Sequence, residues 1–89
     1  MIKVKLSLRS GLKKIIKQND INLILSEDSD FNDLAVKLCE EYGADVKKVL
    51  FSEKYGFIWL CIRNRRKVLP DEILEDGDNV ILLPPLAGG

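Results

Sequence analysis

Few residues in this 89-residue chain have the types that do chemistry. There is no histidine, so neither a metal site of the usual kind nor a nucleophile served by an imidazole base has the side chains it needs. Cys39 and Cys61 are the only cysteines. Their separation fits no zinc or redox spacing, and both read as buried thiols that act as small hydrophobes. What remains is the closing run Leu83-Pro84-Pro85-Leu86-Ala87-Gly88-Gly89. Two prolines fix φ and stiffen the chain, and two glycines follow that offer no side chain to pack. Ordering such a segment costs backbone entropy and buries almost nothing in return. The expectation is that it serves function and not the fold.

The elements that would carry this segment must come from one domain, because a chain of this length supplies a single core. Hydrophobic residues make up 46% and charged residues 31% of it, a balance that excludes a disordered or collagen-like polymer. Fourteen basic and fourteen acidic residues give a net charge of zero, so no overall field favours nucleic acid or an anionic membrane. The longest apolar run, residues 57–62, is too short to cross a bilayer, and the opening residues alternate instead of forming a signal-peptide core. Neither a nucleic-acid nor a membrane partner is expected, and the chain reads as soluble and cytoplasmic.

Along the chain, Ile2, Val4, Leu6 and Leu8 alternate with polar residues and predict a half-buried strand. The basic stretch after Gly11 leaves two readings open, a wide hairpin connection or an early strand. Residues 21–25 resume the strand pattern and can return antiparallel to the first. From Phe31 the period changes: Phe31, Leu34, Ala35, Leu38, Cys39 and Tyr42 recur at helical spacing. Asp30 or Ser29 suits the N-cap, Asp33 adds negative charge to the first turn, and Gly43 suits a left-handed cap at the end. Residues 44–55 leave open a short second helix through Val46, Val49 and Leu50, with a loop at residues 52–56. Residues 57–62 are apolar on both faces, so that strand is either covered twice or keeps one face for a partner. Arg63, Arg65, Arg66 and Lys67 then form a basic cluster that reads as a solvated turn or a surface for an acidic protein. A tight turn at Asp76-Gly77-Asp78 leads to a last strand over residues 79–83, ended by Pro84. The last strand is expected beside the first and parallel to it, with the helix as the crossover.

Strand, strand, helix, strand, strand is the order of the ubiquitin-like β-grasp, an α+β fold. The expectation is a mixed four- to five-stranded sheet with one main helix packed on one face. Residues 1–83 would form that domain and residues 84–89 a flexible Gly-Gly tail. With its "IKVKL" opening strand, a "DGD" turn before "NVILLPP" and a closing "LAGG", the chain resembles the MoaD/ThiS sulfur-carrier family. The double proline makes it more similar to the small subunit of molybdopterin synthase than to the thiamine-pathway carrier. It departs from the family after the third strand, where Arg63-Asn64-Arg65 stands in place of the frequent Val-Asn-Gly.

The resemblance implies a sulfur carrier with no catalytic site of its own, which would act as a reagent held on a tail. A ubiquitin-activating-type (MoeB/ThiF-like) enzyme would adenylate the Gly89 carboxylate with ATP, and a sulfur donor would replace AMP to leave a thiocarboxylate. In the molybdopterin branch this tail enters a large synthase subunit (MoaE-like) and gives its sulfur to the pterin precursor. The chain itself is expected to hold no cofactor and no metal. Pro84, Pro85, Leu86, Ala87 and Gly88 are the residues that would thread into a partner: the prolines lower the entropy lost on entry, Leu86 could anchor in the channel mouth, and Gly88 and Gly89 fit a narrow channel. For docking, the expected face carries Phe57, Trp59 and Cys61, extended by Ile81 or Leu83, with residues 44–55 as an alternative internal cover for it. Two other readings stay open: a thiamine-type or other sulfur carrier, or a ubiquitin-like modifier conjugated through Gly89.

Overall fold

Strict alternation makes Ile2–Ser7 the first strand, β1, with Val4 and Leu6 fully buried and Lys3 and Lys5 outside. The computed structural model describes residues 1–85. After β1 follow α1 (Ser10–Ile16), β2 (Asp20–Leu25), α2 (Phe31–Tyr42), α3 (Ala44–Leu50), β3 (Phe51–Ser52), β4 (Gly56–Phe57), β5 (Leu60–Arg63), β6 (Arg66–Val68) and β7 (Asn79–Leu83). The main sheet has the order β2-β1-β7-β5-β6, and β3 pairs with β4 in a separate two-stranded ribbon. β2 returns antiparallel to β1, with Ile2 opposite Leu25 and Leu6 opposite Ile21. β7 lies parallel to β1 at the sheet centre, with Leu6 beside Val80, as the crossover through the helices requires.

The main helix, α2, has the signals read from its sequence. Asp30 caps it by accepting the Asp33 N–H at 3.0 Å, and the Asp33 carboxylate accepts the Asp30 N–H at 2.9 Å. This reciprocal pair satisfies two of the backbone donors that a helix start leaves without partners, and it is worth about 1 kcal/mol. Phe31, Leu34, Ala35 and Leu38 point inward and meet Val4, Leu6, Leu23, Val80 and Leu82 of the sheet in one core. Gly43 has φ +90, a value that favours glycine, but its ψ of −165 is extended and not that of a left-handed cap. It turns the chain straight into α3 instead of closing the helix in the expected conformation.

Three further differences from the sequence reading have local causes. The stretch after Gly11 is neither hairpin nor strand but α1, whose seven residues bury only Leu12 and Ile16, one turn apart. So short a helix shows too few repeats for its period to stand out. Residues 51–57 hold a small hairpin, β3 with β4, clipped by Phe51 against Phe57 at 5.9 Å between ring centroids. The apolar run 57–62 is not one strand: Ile58 and Trp59 separate β4 from β5. The Trp59 indole N–H donates to the Val49 carbonyl at 3.1 Å, which ties this break to α3.

Candidate functional site

β7 is the element that carries the closing segment, so its register decides which residues lie at the segment's root. Leu60 stands opposite Leu83, Cys61 opposite Leu82, Ile62 opposite Ile81 and Arg63 opposite Val80. Alternation divides these pairs between the two faces. Cys61, Val80 and Leu82 are buried under the helices. Leu60, Ile62, Ile81 and Leu83 stand half-buried on the other face, which no helix covers among the described residues. Two cross-strand pairs therefore make an apolar patch on the open side of the sheet. Beside it lies a shallow hollow of about 390 Å³ whose lining includes Lys5, Arg65, Ile62 and Ile81.

The docking face expected from the sequence is corrected here. Phe57 belongs to the β3–β4 ribbon and packs half-buried against the core. Trp59 is 6% exposed and Cys61 1%, and both point to the helical side, away from Ile81 and Leu83. The five residues do not share a face because Cys61 stands opposite Leu82, between the Ile81 and Leu83 positions, and so faces inward, because Phe57 is drawn into the β3–β4 ribbon, and because α3 covers Trp59 from within. Ile81 and Leu83 do lie together on an open face. Their companions are Leu60 and Ile62, which the sequence reading passed over. The signal for them was present: once Cys61 is taken as inward, alternation sends Leu60 and Ile62 outward.

At the end of β7, Pro84 is exposed and Pro85 half-buried. Both line a hollow of about 370 Å³ together with Lys48 and Val49 of α3, Ser52, Ile58 and Trp59. The chain thus leaves the sheet between an apolar patch and a cleft walled by α3. Leu86, Ala87, Gly88 and Gly89 lie outside the described residues.

The basic cluster divides in two. Arg63 is no partner surface: its Nε donates to Asp78 Oδ2 at 2.7 Å, its Nη2 to Glu75 Oε1 at 2.6 Å, and its Nη1 lies 3.5 Å from Glu72. Asp78 is 6% exposed, and it also accepts from the Asn64 amide at 3.1 Å and the Glu75 N–H at 2.7 Å. Burial works against the charged Arg63, but the hydrogen bonds it donates to Glu75 and Asp78, with the charges of those carboxylates, outweigh it and raise its pKa above the ordinary value. The guanidinium therefore holds the turn before β7 against the end of β5. Asn64 and Arg65 both have positive φ and form the tight β5–β6 turn, with Asn64 bonded to both backbone groups of Asn79. Arg65, Arg66 and Lys67 remain exposed.

Neither thiol is activated by its surroundings. Burial pushes Cys61 up to about 12, with the nearby Asp30 charge adding to it. Burial also raises Cys39, although Lys47 works in the opposite sense. Among the described residues no group of histidine, cysteine, aspartate and glutamate side chains is placed to hold a metal ion. No helix of the described residues is long and apolar enough to cross a membrane.

No family model matches the chain, and no curated protein matches it. Solved structures do. The crystal structure of SAMP1 from Haloferax volcanii superposes with a TM-score of 0.82 at 18% identity, over 98% of this chain and 99% of that one. A Pyrococcus furiosus protein described as molybdopterin converting factor, subunit 1, gives 0.74 at 23% identity over 97% and 100%. The solution structure of Urm1 from Trypanosoma brucei gives 0.73 at 21% identity over 98% and 95%. At these identities the likeness is one of fold, and it agrees with the element order and the parallel β1–β7 pairing: the chain is a ubiquitin-like β-grasp protein, built like small archaeal modifier proteins, Urm1 and a molybdopterin converting factor subunit.

Proposed function

We propose that this protein is a sulfur carrier whose reacting group is the α-carboxylate of Gly89. The observation that carries the reading is the placement of β7. A central strand delivers Pro84 and Pro85 off the end of the sheet, beside an open apolar patch, so one partner could grip the patch and receive the glycines. Activation would be done by a ubiquitin-activating-type adenylating enzyme. The Gly89 carboxylate attacks the α-phosphate of ATP and expels pyrophosphate, which converts a poor leaving group into AMP. A sulfur donor then displaces AMP and leaves a thiocarboxylate. Leu60, Ile62, Ile81 and Leu83 would meet an apolar surface on the enzyme, while Lys5 and Arg65 beside the patch favour acidic residues around it.

The fate of the sulfur is the finer part of the reading. Transfer to a pterin precursor in a large synthase subunit is favoured by the Pro84-Pro85 spacing before the glycines and by the likeness to the molybdopterin converting factor subunit. A second reading has its own support. Solved structures of small archaeal modifier proteins share this fold, so the same activated Gly89 could pass to a lysine amine instead of to sulfur. The test is intact-mass analysis after incubation with the adenylating enzyme, ATP and a sulfur source. An exchange of oxygen for sulfur at the last residue is expected of the carrier, and isopeptide ladders on other proteins are expected of the modifier. Deletion of Gly89 should abolish either product and leave the unfolding transition where it was. Neither product with the intact chain would refute the proposal.

A further inference from the structure

β2 is an outer strand of the main sheet, with β1 on one side and no described strand on the other. The hydrogen bonds fix which of its backbone groups face the open side. Leu8 N–H donates to Asn19 O, and on the other side of β1 Lys5 N–H donates to Asp78 O. The even-numbered residues of β1 therefore bond β2, and the odd-numbered ones bond β7. With Val4 opposite Leu23 and Leu6 opposite Ile21, the N–H and C=O groups of Ile21, Leu23 and Leu25 point to β1. Those of Asp20, Asn22 and Ile24 point outward, and none of them takes a backbone partner among the described residues.

The two sheet edges are treated differently. β6 is three residues long and carries Arg66 and Lys67, the charges that discourage strand addition. β2 is six residues long, with no proline, lysine or arginine and no bulge in its pairing to β1. Its only charge, Asp20, stands at the start, and Ile24 is 45% exposed. The flanks of this edge also carry opposite charge. Lys13, Lys14 and Lys17 precede the strand, all exposed, while Glu27 and Asp28 follow it and share a hollow of about 440 Å³ with Glu40 of α2, Ile24 and Val36.

We propose that β2 is a self-association edge, on which a second copy of this chain adds its own β2 antiparallel about a two-fold axis at Asn22. The register follows from the outward groups. With Asn22 opposite Asn22 of the second copy, Ile24 falls opposite Asp20 and Asp20 opposite Ile24, so every outward N–H and C=O of Asp20, Asn22 and Ile24 is paired. A shift of two residues either way leaves some of them without partners. The same register brings the region of Lys17 in each copy to the end where Glu27 and Asp28 stand in the other, so the charges match twice. A second copy satisfies this polarised edge with its own opposite end. β7 is two strands away from this edge, and the Pro84-Pro85 root stays free in both copies.

The contact is a narrow strip, so the dimer is expected to be weak and dependent on concentration. Sedimentation equilibrium of the full chain, up to about 1 mM, should show monomer passing to dimer. Asn22→Pro removes one outward N–H per copy and hence two bonds per dimer, and it should weaken association about tenfold or more. Ile24→Lys places a charge on the edge and should do the same, which guards against a folding defect in the proline variant. Lys17→Glu alone should weaken the dimer, and Lys17→Glu with Glu27→Lys should restore it. A chain that stays monomeric over this range overturns the proposal. So does a dimer that is indifferent to both edge variants, or a charge swap that brings no recovery.

Discussion

The Arg63 cage allows a direct test of whether the turn before β7 is held by a buried ion pair. Arg63→Met keeps the apolar stem and removes the guanidinium. Asp78, 6% exposed, would then keep only the Asn64 amide and the Glu75 N–H as donors. Removing one partner of a buried pair and leaving the other charged costs about 3 kcal/mol. Glu72 and Glu75 are much more open, with side chains 47% and 76% exposed, and contribute less than about 1 kcal/mol each. For a domain of this size the loss corresponds to a fall of roughly 15 °C in Tm. Urea unfolding of Arg63→Met, Asp78→Asn and the double variant gives the coupling between the two side chains, expected near 2 kcal/mol. Because the pair is buried, about 1 M salt should leave most of it intact. Coupling below about 0.5 kcal/mol, or coupling that vanishes in salt, would refute the clamp and return Arg63 to the exposed basic surface.

Trp59→Ala should destabilise the domain by about 3–5 kcal/mol in the same assay, since it empties a core site and leaves the Val49 carbonyl without its indole donor; an unchanged midpoint would favour an interface role instead. Ile62→Lys and Ile81→Asp lie on the open face and should leave stability within about 1 kcal/mol. Each should slow adenylation of Gly89 at least about tenfold in a pyrophosphate-release assay, and unchanged rates would remove this face from docking. Cys61 gives a pH dependence whose sign is fixed by its pKa, 9.0 in the ordinary state and about 12 when folded. Below pH 9 both states keep the proton and the full stability is present. Above it the unfolded chain releases the proton first, so stability should fall by about 1.4 kcal/mol per pH unit toward pH 12. Cys61→Ala should lose this slope, and equal slopes in the two proteins would contradict the burial.

Much of the scaffold is legible in the residues alone because its signals are local. Alternation at Ile2, Val4 and Leu6 marks β1, and the i, i+3, i+4 spacing with the Asp30–Asp33 box marks α2. Pro84 ends β7 at the residue where its missing N–H predicts the stop. The parallel β1–β7 pairing follows too, because one helical crossover leaves few other ways to close the sheet. Where the sequence shows no periodicity, tertiary contacts decided. The seven residues after Arg9 become α1 because Leu12 and Ile16 find the core, and residues 57–62 divide because Trp59 is drawn to the Val49 carbonyl. The candidate docking face depends on that division. Six apolar residues in a row do not reveal which ones point inward, and only the register of β5 against β7 sends Cys61 to the core and Leu60 and Ile62 to the open side. Arg63 makes the same point with charge. Five neighbouring positions look like one basic surface, but the carboxylates that claim Arg63 lie up to fifteen residues along the chain at Glu72, Glu75 and Asp78, and only folding brings them to it.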